Sequence, residues 1–410
     1  MDRIRTTHTG SLARPAELLS FLAVREGGGI LDEDAYAACL RQTVDDVVRR
    51  QVETGIDIVD DGEMGKSSWI AYLYERVSGL EARAPVLDEG VTVMPASRDR
   101  QAFPGAYAEI DALEEQSTRN STLAAGGGAP EDQSPGGLSV SWVVTGPLHY
   151  DRSALDRDIA NLKSALSRHP GASGFLPVVA PASTYWLVNE YYSDDEEFMF
   201  ALADVLHEEY QAIVDSGLML QVDDAVLMHE ADTIMSKGGS WEDYRRWAEL
   251  RVHALNHALQ GIPEEHVRYP RVLGQLARPA RVRPAAGRRG RSRARGQRGR
   301  LRDRAGQPPA RARVAGVGER EHSELVAQRL TRLANVVGRE NVIGGTDCGF
   351  AQGSFMRRVH PEVQWAKLAS LAEGARSPRK SCGAPRRRSG PKLAPLAHRF
   401  RAEGQRTWPR

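Results

Sequence analysis

The chain has 410 residues, 41% of them hydrophobic, with 55 Lys and Arg, 54 Asp and Glu, and three Cys. This length supports a large core, arranged as two or three domains or as one α/β barrel. No apolar run reaches the roughly 18 to 20 residues of a membrane span, no apolar signal region follows Met1–Arg5, and Cys39, Cys348 and Cys382 form no disulfide framework, all of which points to the cytoplasm.

The net charge of +1 conceals two basic blocks. Residues 271–313 carry 15 Arg and one Asp, and residues 376–410 carry 11 Lys and Arg and one Glu. Without these blocks the other 332 residues carry −23, so an acidic globular protein bears two basic segments of foreign composition.

Along the chain, His8-Thr9-Gly10-Ser11-Leu12 reads as a first strand and turn offering a hydroxyl and backbone N–H groups. Ala35–Thr54 reads as an amphipathic helix with Leu40, Val44 and Val47 on one face and Gly55 just past its end. A strand at Ile56–Val59 follows, then Asp60-Asp61-Gly62-Glu63. The Gly- and Pro-rich run Gly126–Gly137 reads as a surface loop. The unit recurs as helix Ala154–Arg168, strand Leu176–Val179 and turn Ala180–Ser183. It recurs as helix Asp195–Ser216, strand Leu218–Val222 and Asp223-Asp224, then as helix Ser323–Val337, strand Asn341–Ile343 and Asp347-Cys348. Alternating helix and strand implies a parallel sheet covered by helices. A (β/α)8 barrel and a doubly wound sheet both fit, but no Gly-rich phosphate fingerprint follows any strand.

Polar chemistry gathers where the strands end. An acidic turn such as that at Glu63 is ordinarily only solvated, but Asp223 and Asp224 repeat the placement on another strand. Two carboxylates at a barrel mouth can hold a substrate ammonium or act as acid and base. Cys348 is the Cys at a strand end, although a lone Cys is more often a small buried residue. Tyr185-Trp186 and Tyr191-Tyr192 could line a cleft, with core packing the better reading.

Taken together, Thr6–Ser11, Gly55–Ser68 with Asp61-Gly62-Glu63, Tyr185–Asp224, and Glu340–Phe350 resemble the cobalamin-independent methionine synthase family in its single-barrel form. Epoxyalkane:coenzyme M transferases are similar too. The resemblance covers roughly residues 1–269 and 321–376. It implies an α/β fold, a (β/α)8 TIM barrel over residues 1–376, and alkyl transfer to a thiol that zinc holds as thiolate, with a small-molecule thiol and a methyl donor as partners. By the same resemblance Cys348 matches a zinc ligand, and Thr9, Ser11, Glu63 and Asp223 match positions that hold the amino-acid thiol, the two carboxylates facing its ammonium. The family's catalytic residues beyond these have no counterpart here.

The sequence departs from the family where His-x-Cys should follow Tyr269. It reads Pro270-Arg271-Val272-Leu273-Gly274-Gln275-Leu276 instead. Codons for residues 270–280, read one base later, can give His-Val-Cys-Trp-Gly-Ser-Trp-His-Gly-Pro-His. The same shift lets Asp303–Val314 give Ile-Glu-x-Ala-Asn-Pro-Arg-His-Glu-His-Glu-Trp, which holds the family's Glu. Residues 270–318 therefore read as a frame-shifted, disordered segment that disrupts the barrel, and 377–410 as a basic run-on tail. In that state the zinc site is incomplete and activity impaired. Two other readings stay open: a genuine Arg-rich nucleic-acid-binding insert, disfavoured because Arg281–Arg300 contains no aromatic residue, and an inactive barrel remnant.

Overall fold

The computed structural model describes residues 3–83, most of 102–112, 141–184, 187–270 and 319–376, less 347, 352 and 356–358. The Gly126–Gly137 run, Tyr185-Trp186, the 271–318 segment and the 377–410 tail lie outside the described residues.

In chain order the described elements begin with β1 (Arg5–Thr6), α1 (Ala16–Glu26), α2 (Glu33–Thr54), β2 (Ile58–Val59), α3 (Ala71–Tyr74) and β3 (Val77–Arg83). They continue with β4 (Ser141–Tyr150), α4 (Ser153–Ser167), β5 (Ser173–Val179), β6 (Leu187–Asn189), α5 (Asp195–Asp215) and β7 (Met219–Asp223). Last come α6 (Val226–Ser236), α7 (Trp241–Ala258), β8 (Val267–Arg268), α8 (Glu319–Val337), β9 (Ile343–Gly344) and α9 (Pro361–Arg376).

Six of these strands form one wall. β2, β5, β7 and β8 lie side by side in parallel, and β1 pairs in parallel with β9. Asp57 stitches the two groups together. Its N–H donates to the Thr6 carbonyl at 3.1 Å, its carbonyl accepts from Ser173 N–H at 3.0 Å, and its carboxylate accepts from Thr6 N–H at 2.8 Å. The order is thus β9-β1-β2-β5-β7-β8, with the first strand beside the last. That neighbour relation is how a (β/α)8 wall closes, and most of the chain joining β8 to β9 lies outside the described residues.

The helices form for local reasons and dock for tertiary ones. Asp32 caps α2 by accepting from Ala35 N–H, Leu40, Val44 and Val48 line its buried face, and Gly55 ends it with φ +97°. Asp194 caps α5, whose Phe198, Leu202, Leu206 and Ile213 are buried at helical spacing. Ser240 and Asp243 make a capping box that starts α7. These faces close over Val59, Leu176, Val178, Leu220 and Val222 of the wall.

Three sequence expectations shift. The first strand lies at Arg5–Thr6, ahead of His8–Leu12, which forms the polar turn alone. The last strand is Ile343–Gly344 rather than Asn341–Ile343, because Gly338 at φ +93° starts a 3-10 turn that takes up Arg339–Asn341. A separate sheet of β3 and β4 (antiparallel) with β6 was not expected at all. Tyr192 packs against Phe198 beneath it, with ring centroids 6.1 Å apart, and accepts from Leu148 N–H, so it is a packing residue.

A buried polar mouth at the strand ends

The turn after β2 is the most constrained part of the rim. Asp60 Oδ1 accepts from Gly62 N–H at 2.8 Å and Asp61 Oδ1 from Glu63 N–H at 2.9 Å. These bonds wind Gly62 to φ +69° and Glu63 to φ +55°, a left-handed conformation that costs a non-glycine residue roughly 1 kcal/mol. Glu63 is the one non-glycine residue with positive φ among the described residues. Arg14 holds the turn from below. Its buried guanidinium donates to the carbonyls of Glu63 (2.6 Å), Met64 (3.3 Å) and Lys66 (2.8 Å), and across to those of Ala351 and Gly353.

Four carboxyl groups enter this mouth with few cations. Burial, then Asp61 and Glu63, hold Asp60 well above the usual carboxylate range. Burial and Asp158 raise Asp61 to about 6. Asp223 at the end of β7 is held well above its ordinary value by burial and then by Glu63. Glu63 itself is buried, its Oε1 3.5 Å from Lys66 Nζ. Lys66 also donates to the Pro177 carbonyl of β5 at 2.7 Å. Burial alone would lower the Lys66 ammonium, but Glu63 and Asp61 outweigh it and raise it. Gly10 leaves room for this arrangement, since a Cβ there would lie 3.0 Å from Glu63 Oε1.

Behind the turn a neutral network joins β1 to α2. Gln51 Nε2 donates to the carbonyls of Val47 and Asp60, so its Oε1 is left to accept from Asp60 N–H and from His8 Nε2 at 2.6 Å. His8 therefore carries its proton on Nε2. Burial pushes its imidazole down to about 4, so it is neutral near pH 7.

On the far side, Arg268 of β8 lies flat over the Phe175 ring, its guanidinium carbon 3.6 Å from the centroid. It donates to Gln221 Oε1, Thr7 Oγ1 and the His8 carbonyl. Gln221, so oriented, turns its amide N–H groups to Asp223 Oδ1 at 2.8 Å and to the Thr9 carbonyl. Burial lowers the Arg268 guanidinium to about 10. Asp224, next in sequence, points elsewhere: it accepts from Tyr269 OH at 2.6 Å and from Ser183 Oγ at 3.3 Å.

The five candidate residues from the sequence all lie on this rim. Glu63 follows β2 and Asp223 ends β7, the strands that flank β5, and the Glu63 charge acts on Asp223. Thr9 donates its hydroxyl to the Thr346 carbonyl at 2.7 Å, tying the ends of β1 and β9, and shares Gln221 with Asp223. Ser11 is buried against the following loop, where its carbonyl accepts from Phe350 N–H at 2.7 Å and a Cβ on Gly349 would collide with its hydroxyl. Cys348, half-buried, sits on that loop, and its carbonyl accepts from Thr346 Oγ1. Lys66, Arg14, Gln51 and Arg268 went unassigned in the sequence, where a lone basic or amide residue carries no spacing signal. The Gly-Lys just after Asp61-Gly62-Glu63 was the one available hint for Lys66.

Among the described residues no group of three or more His, Cys, Asp or Glu side chains is placed to hold a metal ion. Chemically, the mouth gathers the Glu63 and Asp223 carboxylates, the Lys66 ammonium beside Glu63, and the Cys348 residue on the adjoining loop. Among the described residues, no helix is long and apolar enough to cross a membrane.

No family model matches the chain. It is 23% identical over 259 residues to a methionine synthase of Thermococcus kodakarensis and 24% identical to one of Pyrococcus furiosus, in each case over 63% of this chain and 58% of the relative. The chain thus spans somewhat over half the length of the curated relatives it matches. In three dimensions it is similar to a B12-independent methionine synthase from Shewanella sp. W3-18-1, solved with selenomethionine, at a TM-score of 0.52 and 15% identity over 91% of this chain and 97% of that one. That likeness gives the parallel wall and its helices the architecture of an α/β barrel. The chain is similar in sequence to methionine synthases and shares the fold of a B12-independent one.

Proposed function

We propose that the mouth binds an amino-acid thiol, homocysteine, for S-methylation to methionine without cobalamin. The observation that carries this is the convergence of Glu63 and Asp223, close enough that Glu63 raises Asp223. Two carboxylates so paired, Glu63 buried and Asp223 half-buried, are costly unless a cation joins them, and an α-ammonium supplies one. In the reaction the thiolate sulfur forms a bond to the methyl carbon as the bond from that carbon to its donor breaks. Thr9, Ser11, Glu63 and Asp223 hold and orient the acceptor.

In such a reaction zinc supplies a thiolate at neutral pH. The described residues do not fit it, since Cys348 stands without the companion ligands that a zinc site needs. No step here is routed through a metal. The missing ligands are those that a shifted reading frame in residues 270–318 would restore, and we attribute their absence to that shift.

Two measurements test the proposal. Calorimetric titration of the protein with homocysteine should give binding that Asp223→Asn weakens at least tenfold, and equal affinity for the variant would overturn the ammonium role. Resequencing the coding DNA across codons 262–325 and 370–410 tests the frame. An extra base near codon 270 that vanishes restores His-Val-Cys and the Glu. Confirmation of the frame as printed removes the methyltransferase reading for this chain.

A further inference from the structure

We infer that Lys66 is a specificity-determining residue of the mouth. It occupies the place a ligand ammonium would take between Glu63 and Asp223, and so limits how strongly the site prefers an amino acid over its des-amino analogue. This rests on the proposed binding of an amino-acid thiol and adds a competitor to it.

The placement comes from the order of the strands. β5 lies between β2 and β7, and Pro177 of β5 pairs with Gln221 of β7. Lys66 Nζ is anchored on the Pro177 carbonyl at 2.7 Å, with Glu63 Oε1 at 3.5 Å. Its charge also offsets the rise of Asp223. The ammonium thus stands on the middle strand, 3.5 Å from the Glu63 carboxylate that follows β2, and its charge reaches Asp223 at the end of β7. The other cation on this side, Arg268, spends its N–H groups on Gln221, Thr7 and His8 and makes no direct hydrogen bond to a carboxylate. Lys66 is therefore the cation in direct contact with the pair, through Glu63, with Arg268 lending Asp223 a further, indirect offset. The side chain is buried, so water screens it little, and an incoming ammonium must share or displace it.

The test is calorimetry at pH 7.5 with homocysteine and with 4-sulfanylbutanoate, which lacks the amine, on the full chain and on Lys66→Gln and Lys66→Arg. The expected result is that the wild type and Lys66→Arg distinguish the two ligands by less than tenfold. Lys66→Gln should gain at least tenfold for homocysteine and little for the analogue. A selective loss of homocysteine binding in Lys66→Gln, or an equal change for both ligands, overturns the inference, because Lys66 would then support the ligand rather than compete with it.

If neither ligand binds any of the proteins, the amino-acid reading has failed and thermal unfolding at pH 8 decides the role of Lys66. As counter-cation, its replacement by Gln lowers the unfolding midpoint and the double variant Glu63→Gln/Lys66→Gln recovers it. The absence of either the loss or the recovery overturns the assignment.

Discussion

Two pairs of opposite charges three residues apart, Asp46 with Arg49 on α2 and Glu63 with Lys66 at the mouth, look alike in sequence and behave differently. Asp46 and Arg49 are exposed. Hydrogen bonds from Gln42 and Arg49 hold the Asp46 carboxyl below its ordinary value, and water screens whatever attraction remains. Glu63 and Lys66 are buried near Asp60, Asp61 and Asp223. There burial drives the carboxyl groups of Asp60, Asp61 and Asp223 upward, while the attraction of Glu63 and Asp61 outweighs burial at Lys66 and raises its ammonium. Charge on a helix face is close to neutral for stability, whereas the same charge at the mouth carries a desolvation cost.

The largest expected contrast is between two arginines. Arg14→Met should lower the free energy of unfolding by about 3 to 5 kcal/mol, because five carbonyls lose their donor. Arg49→Met should change it by less than about 0.5 kcal/mol. Denaturant melts of both variants check this, and comparable losses would abolish the distinction drawn above.

The pH dependence sharpens it further. His8 has a folded value of about 4 against an ordinary 6.5, so the unfolded chain binds its proton first. Its contribution is fully present above pH 6.5 and is lost as pH falls towards 4, by on the order of 3 kcal/mol. His8→Gln should remove this loss, so that over pH 4 to 6 the stability of the variant falls with rising pH. Asp61 runs the other way. Its value is raised to about 6, so its ionised form costs stability above pH 6 and that cost is relieved as pH falls towards 3.8. Asp61→Asn, which keeps the acceptor for Glu63 N–H, should therefore stabilise the fold at pH 8 by on the order of 2 kcal/mol, with the gain gone below about pH 4. A destabilised Asp61→Asn at pH 8 would show that the carboxylate is better compensated than its surroundings indicate. Between pH 4 and 6 the two groups oppose each other, so the wild-type curve should be flatter there than in either variant.

The smallest effect expected is at the exposed partner: Asp46→Asn should move the midpoint hardly at all, because its hydrogen bonds are replaced by water. Circular-dichroism melts at pH 8 of Asp46→Asn and Asp61→Asn, run side by side, set the two environments on one scale.

Much of this architecture was legible in advance because it rests on short-range patterns. The α2 periodicity of Leu40, Val44 and Val47, and Gly55 beyond it, give a helix and its left-handed stop. Carboxylates after the strands at Val59 and Val222 mark one rim. The β3–β4–β6 sheet was not legible, because its pairing joins residues 77–83 to 141–150 and these to 187–189, across long separations with no turn signal. The shifts at β1 and β9 have the same origin: two-residue strands are defined by a partner, not by their own sequence.

From the sequence alone came the alternation of helices and strands, the acidic body with its two basic blocks, and the candidates Thr9, Ser11, Glu63, Asp223 and Cys348, because local periodicity, charge and motif order are carried by neighbouring residues. Only the tertiary structure decided that β1 lies beside β9, that Glu63 takes a left-handed turn held by Arg14, and that Lys66 is buried between the Glu63 carboxylate and the Pro177 carbonyl of β5. Those facts depend on which backbone carbonyls and side chains meet after the wall assembles. Burial, which sets the mouth's acid–base pair apart from an exposed one, is a property of that assembly and not of the residues themselves.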